Sequence, residues 1–178
     1  RIIDGQSITE GDAVLGLASS GAHSNGYSLI RKILEESHTD IAANLNGKVL
    51  MDTIMEPTRI YVKPLLNLLK HFPVKGMAHI TGGGLVENIP RILPEGLSAV
   101  LKRSAWDMPE LFNWLQQQGK ITDHEMHRVF NCGIGMVLII SNEHVEAVMK
   151  ELSNAGEVVW HIGAIRRRGE GEEQIFVE

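Results

Sequence analysis

"DAVLGLASSGAHSNGYSLIRKIL", Asp12 to Leu34, sets how the rest of the chain is read. Asp12 to Ser20 is an apolar run of strand length. From Gly26 to Ser37 the apolar residues return at helical spacing. Between them stands a loop of small and polar residues holding His23 and an Asn25-Gly26 pair. A strand-to-helix turn needs two or three such residues, and about seven are present. The order strand, loop, helix points to an α/β fold, and the surplus loop residues raise the question of what they hold.

Further along, "VLMDTIME" predicts a short helix, and "TRIYVKPLLNLLKHF" a longer one with Leu65, Leu66, Leu68, Leu69 and Phe72 on its apolar side. Pro64 suits that helix's first turn. "VKGMAHI" reads as a second strand running into "TGGG", Thr81 to Gly84. "LVENIPRILP" predicts a short helix that Pro90 kinks or restarts. "LSAVLKRSA" is a third strand, and "MPELFNWLQQQG" a helix closed by Gly119. Thr122 or Asp123 opens a turn or two of helix before the strand "CGIGMVLIIS". Asn142 caps a last helix, and "VVWHIGAIRR" and "EQIFVE" read as a closing hairpin. Crossovers of unequal length with a final hairpin favour a three-layer α/β/α sandwich with a mixed sheet, an α+β arrangement, over a regular doubly wound fold. The 178 residues form one domain, 1–178, with no repeat, linker or internal boundary.

Composition removes several classes of function. Hydrophobic residues make up 43% and charged residues 22%, as in soluble globular proteins. No apolar run approaches the ~20 residues that span a bilayer. The net charge is -5, with a pI near 5.9. The one basic cluster, Arg166 to Arg168, runs straight into "GEGEE" and reads as a solvated tip, so nucleic acid is not an expected partner. The single cysteine, Cys132, excludes an internal disulfide, fits a reducing compartment and reads as a small core residue. No signal peptide is evident, and a start at Arg1 suggests a piece of something longer.

Two glycine-rich turns follow strands and precede helices. Three successive glycines let backbone approach a ligand closely, and the next helix offers unpaired N–H groups, which suits phosphate. Neither turn fits G-x-G-x-x-G or G-x-x-x-x-G-K-[ST]. Both structural and anion-binding readings are open on pattern alone, and two such turns at carboxyl ends of strands favour a site. His23, Ser24 and Asn25 add groups that donate, accept and titrate near neutral pH. His79 reads as buried and hydrogen-bonded at its strand end. His124 and His127 in "HEMH" are three apart, where zinc helices use four, and no third ligand stands near; no metal site is assigned. Trp106, Trp114 and Trp160 read as core or interface residues.

Taken together, "GDAVLGLASSGAHSNGYSLIRKIL", "EPTRIYVKPLL", "HITGGGLVENIPRILP", "PELFNWLQ" and "FNCGIGMVLII" resemble the second half of the phosphoribosylformylglycinamidine cyclo-ligase family, the aminoimidazole ribonucleotide synthetases. They run in the family's order over nearly the whole chain. The resemblance implies a C-terminal domain that is partly ferredoxin-like. It implies an ATP-dependent step of purine synthesis: the formyl oxygen of formylglycinamidine ribonucleotide is phosphorylated, an amidine nitrogen closes the imidazole ring, and ADP and phosphate leave. In this family a separate N-terminal domain makes the homodimer and, with Mg2+, holds most of the ATP; a cytoplasmic enzyme is implied. By the same resemblance, Thr81, Gly82, Gly83 and Gly84 hold the ribonucleotide phosphate. Ser20, Ser24 and Asn25 orient the substrate, and His23 is the catalytic candidate for moving a proton. A non-catalytic ligand-binding or regulatory α/β domain, or another ATP-using enzyme of the same superfamily, are the alternatives.

Overall fold

The computed structural model describes residues 2–178. The apolar run after Asp12 forms β1 (Ala13–Ala18), buried on both sides. Ala13, Leu15 and Leu17 enter one hydrophobic layer, and Val14 enters the other. The chain continues through α1 (Tyr27–Ser37), the small hairpin β2 (Asn44–Leu45) and β3 (Lys48–Val49), α2 (Leu50–Ile54), α3 (Val62–His71) and β4 (Val74–His79). Next come α4 (Gly84–Asn88), a 3-10 turn over 90–92, and β5 (Leu97–Leu101). After them follow α5 (Glu110–Gly119), α6 (Asp123–Val129), β6 (Ile134–Ile140), α7 (Val145–Asn154), β7 (Val159–Arg167) and β8 (Ile175–Val177).

Six strands form one sheet in the order β4-β6-β1-β7-β5-β8, and β2 and β3 pair apart from it. Neighbours pair antiparallel except β5 and β8, which are parallel, so the sheet is mixed as expected. Within it, β1-α3-β4-β6-α7-β7 traces a ferredoxin-like βαββαβ core. Leu65 and Leu68 of α3 and Val148 and Leu152 of α7 cover its first face. Leu85 of α4 and Ile89 just after it, with Ile8 and Trp106, cover the second. The segment between β4 and β6 is therefore an elaboration, and part of it joins α1 and α2 in a satellite cluster around Phe112, Phe130 and Met126. Two covered faces explain why β1 and β6 read as unbroken apolar runs.

The structure corrects several local expectations. β7 and β8 do not form a hairpin, because β5 lies between them. Asn142 makes no side-chain cap; 142–144 form a 3-10 turn and α7 starts at Val145. The left-handed residue closing α5 is Lys120 (φ 49), one past Gly119. The third strand stops at Leu101, and 103–105 turn into a 3-10 helix. α3 begins at Val62 with Pro64 in its first turn, as expected, and 57–61 runs ahead of it without regular structure. The β2–β3 hairpin is an element beyond those expected; its turn is Asn46-Gly47, both left-handed, as a tight hairpin turn requires.

Candidate functional site

β1 and β4 both run antiparallel to β6, so their carboxyl ends lie at the same edge of the sheet. Both exits hang from the start of β6. The Ser19 amide donates to the Gly133 carbonyl at 2.8 Å, and the Ile80 amide to that of Gly135 at 2.9 Å. This brings the loop 19–26 and the turn 81–84 side by side. The Asn25 side chain lies next to Gly82.

The loop 19–26 is held from three directions. Asn131, buried at the foot of β6, accepts from the Ser19 hydroxyl at 3.0 Å and donates to the Gly21 carbonyl at 2.8 Å. The segment 57–61 fastens the outer side: the Ser20 hydroxyl donates to the Pro57 carbonyl at 2.6 Å, and Ser24 pairs with Thr58 at 3.2 Å. Tyr61 crosses beneath and donates to the Ala18 carbonyl at 2.7 Å. Arg59 anchors that segment in turn through Glu157, at 2.8 Å, and the Gly156 carbonyl, at 3.0 Å. A β-carbon on Gly135 would collide with the Tyr61 hydroxyl and crowd the His23 ring; only a glycine there leaves room for both.

His23 sits at the centre of this frame, only 3% exposed and at φ 56. Its Nε2 accepts from the Ser20 amide at 3.1 Å and from the Arg59 amide at 3.4 Å. A ring nitrogen that accepts is unprotonated, so the neutral ring carries its proton on Nδ1, which has no partner among the described residues. Burial, then the His79 and Arg59 charges, lower its pKa to about 4. Near neutrality His23 is an uncharged brace with one free donor. Its ring centroid is 6.3 Å from those of both Tyr61 and His79. His79, expected to be buried, is exposed, and no hydrogen bond of its ring is seen among the described residues. It lines, with Arg59, Tyr61 and Met136, an open hollow of about 230 Å³ beside the cluster.

The turn 81–84 is built differently. Asn88 of α4 gathers its carbonyls, donating to those of Thr81, Gly82 and Gly84 at 3.3, 3.1 and 2.8 Å. Its Oδ1 takes the Thr81 hydroxyl proton at 3.2 Å. The amides of Gly82 and Gly83, by contrast, donate to no protein acceptor among the described residues. Gly83 is left-handed at φ 96, and the Glu87 side chain lies against it, its carboxylate 3.9 Å from Arg91. Gly84 seats directly on the carbonyls of His127 and Phe130, where a β-carbon would collide.

Of the expected site residues, Ser20, His23, Ser24, Asn25 and Thr81–Gly84 thus lie at one end of the sheet. Ser20 and Thr81 direct their hydroxyl protons into the frame, whereas Ser24, Asn25, Gly82 and Gly83 remain accessible. Arg59, Tyr61, His79, Asn88 and Asn131 join them without having been singled out as site residues. All five stand in stretches already quoted, Arg59 and Tyr61 in "EPTRIYVKPLL", His79 and Asn88 in "HITGGGLVENIPRILP" and Asn131 in "FNCGIGMVLII", but no local pattern marks their part in the site. Cys132 is fully buried, its thiol pushed up to about 12 by burial, and Trp106 donates to its carbonyl at 3.0 Å. No cluster of three or more His, Cys, Asp or Glu able to hold a cation occurs among the described residues.

A sequence model of the family described as AIR synthase related protein, C-terminal domain, matches residues 9–175. The phosphoribosylformylglycinamidine cyclo-ligase of Cupriavidus necator is 63% identical over 177 residues, covering 99% of this chain and 51% of that protein. That of Nitrosospira multiformis is 61% identical over 178 residues, with 100% and 51% covered. The chain thus spans about half the length of these relatives. Among solved structures, thiamine-monophosphate kinase from Stenotrophomonas maltophilia superposes with a TM-score of 0.66 at 12% identity, over 99% of this chain and 52% of that one. The hydrogenase maturation protein HypE in complex with ATP gives 0.64 at 18% identity, over 98% and 49%. At such identities these two show a common fold and nothing finer.

Proposed function

Since the chain belongs to the AIR synthase related proteins, as their C-terminal domain, we propose that it is the C-terminal half of an ATP-dependent cyclo-ligase. The enzyme converts formylglycinamidine ribonucleotide to aminoimidazole ribonucleotide in purine synthesis, as a cytoplasmic homodimer. The observation that carries this is the pair of free amides at Gly82 and Gly83, set beside Asn25 and the exposed His79 at one end of the sheet.

In this proposal the glycine turn takes the ribonucleotide phosphate on its two amides, and Glu87 turns away toward Arg91 as the anion enters. Asn25 and Ser24 hydrogen-bond the formylglycinamidine portion. His23 keeps the loop in shape and offers its Nδ1–H, a donor for a developing negative oxygen rather than a base, since its lone pair is already used. His79 is the accessible imidazole of the cluster and the better placed of the two to move a proton. ATP lies mainly on the N-terminal half. Magnesium would be held there too, since no three His, Cys, Asp or Glu side chains converge among this chain's described residues.

Full-length protein supplied with formylglycinamidine ribonucleotide, ATP and Mg2+ should form the imidazole product and ADP one for one. Residues 1–178 alone should give no turnover. ATP consumption without ring closure, or turnover by this half alone, would contradict the proposal.

A further inference from the structure

A cavity of about 390 Å³ opens between α4, α6 and the β8 end of the chain. Its walls are Val86, Ile175 and Val177, with the polar groups Asp123, His124, His127 and Glu173. It shares no lining residue with the cleft at the carboxyl ends of β1 and β4. His127 is the unusual member. It is only 6% exposed, and its Nε2, closed off from solvent, has no partner among the described residues. A buried ring nitrogen without a partner costs stability unless something hydrogen-bonds it.

We propose that this cavity binds a small planar cation bearing N–H groups, of the amidine or amino-heterocycle class. Three branched aliphatic side chains accept a flat apolar body, and the Asp123 and Glu173 carboxylates supply the countercharge. No Lys or Arg lines the cavity among the described residues. The nearby Arg103 is occupied elsewhere, its guanidinium stacked 5.0 Å over Trp106 and donating to the Trp106 carbonyl. Anions are therefore disfavoured. Burial first, then the Arg103 charge, hold His127 toward its neutral form, in which it does not repel a cation; a small turn of its ring would bring the unpartnered Nε2 to an N–H group of the occupant. A metal ion is the wrong occupant, because no three of these side chains converge among the described residues. The α6 carbonyls of His127 and its neighbour Phe130 press on Gly84, so an occupant leaning on α6 also bears on the glycine turn.

The probe is benzamidine, with benzoate as the control of equal shape and opposite charge. Full-length protein labelled at histidine Cε1 is titrated with each and followed by NMR. Benzamidine should shift His124 and His127 together and saturably, and benzoate should leave both in place. Asp123→Asn with Glu173→Gln, both exposed positions, should weaken benzamidine by at least about tenfold. A non-saturating response, equal effects of the two probes, unchanged binding in the double variant, or shifts at His23 and His79 instead would each overturn the proposal.

Discussion

The loop 19–26 and the turn 81–84 are both short on bulk, rich in glycine and set side by side, yet their hydrogen bonds run in opposite senses. In the first, side chains do the holding: His23, Ser19, Ser20 and Tyr61 are spent on backbone groups or on Asn131, and the loop is a rigid wall. In the second, one side chain, Asn88, collects the carbonyls and leaves two amides facing outward. Similar composition thus yields a frame in one place and a receptor in the other. What separates them is which backbone group is left without a partner. The two histidines divide the same way, with His23 enclosed and committed and His79 open.

The largest expected effect lies where the receptor rests on the rest of the molecule. Gly84→Ala drives a β-carbon into the carbonyls of His127 and Phe130, backbone that cannot step aside alone. Chemical denaturation should show a loss of about 3 kcal/mol, from strain and the parting of α4 from α6. A loss under about 0.5 kcal/mol would mean the turn is not seated as described.

Acid should loosen the frame next. The His23 pKa falls from 6.5 to about 4 on folding, so between those values the unfolded chain binds more protons than the folded one. Stability from this group is whole above about pH 6.5 and drains as pH falls toward 4, by up to about 3 kcal/mol. His127, also lowered, acts in the same direction. His23→Asn keeps an acceptor for the two amides but does not titrate. Its stability should therefore depend less steeply on pH across that window. Equal slopes in the two proteins would remove His23 from the centre of the frame.

How far the sequence carried these conclusions differs by kind of feature. The strands, most helices and the mixed sheet were legible because burial on one or two faces imposes a period on the residues. Thr122, whose hydroxyl accepts from the Glu125 amide, was legible because capping is local. The placement of β5 between β7 and β8 was not, since nearness in sequence favours a hairpin and no residue pattern encodes strand order. The loop residues 20–25 and 81–84 were legible as small and polar. The sense of their hydrogen bonds depends on partners far along the chain: Asn131 is 112 residues from Ser19, and Arg59 is 36 from His23. His79 was misread because a strand end beside an apolar run looks buried, whereas β4 is an edge strand and His79 points out at its tip.

The division into frame and receptor meets its most direct test at Gly83, which is left-handed at φ 96 and carries one of the two free amides. Valine there strains the backbone and crowds the Glu87 side chain while leaving His23, Asn131 and the 57–61 segment untouched. The measurement is the affinity of full-length Gly83→Val for formylglycinamidine ribonucleotide by calorimetry, with folding checked by circular dichroism. The expected result is a folded protein whose affinity falls at least about tenfold, the scale of a lost charge-assisted hydrogen bond. A folded variant that binds the ribonucleotide as tightly as the parent would contradict it and move the phosphate away from the glycine turn.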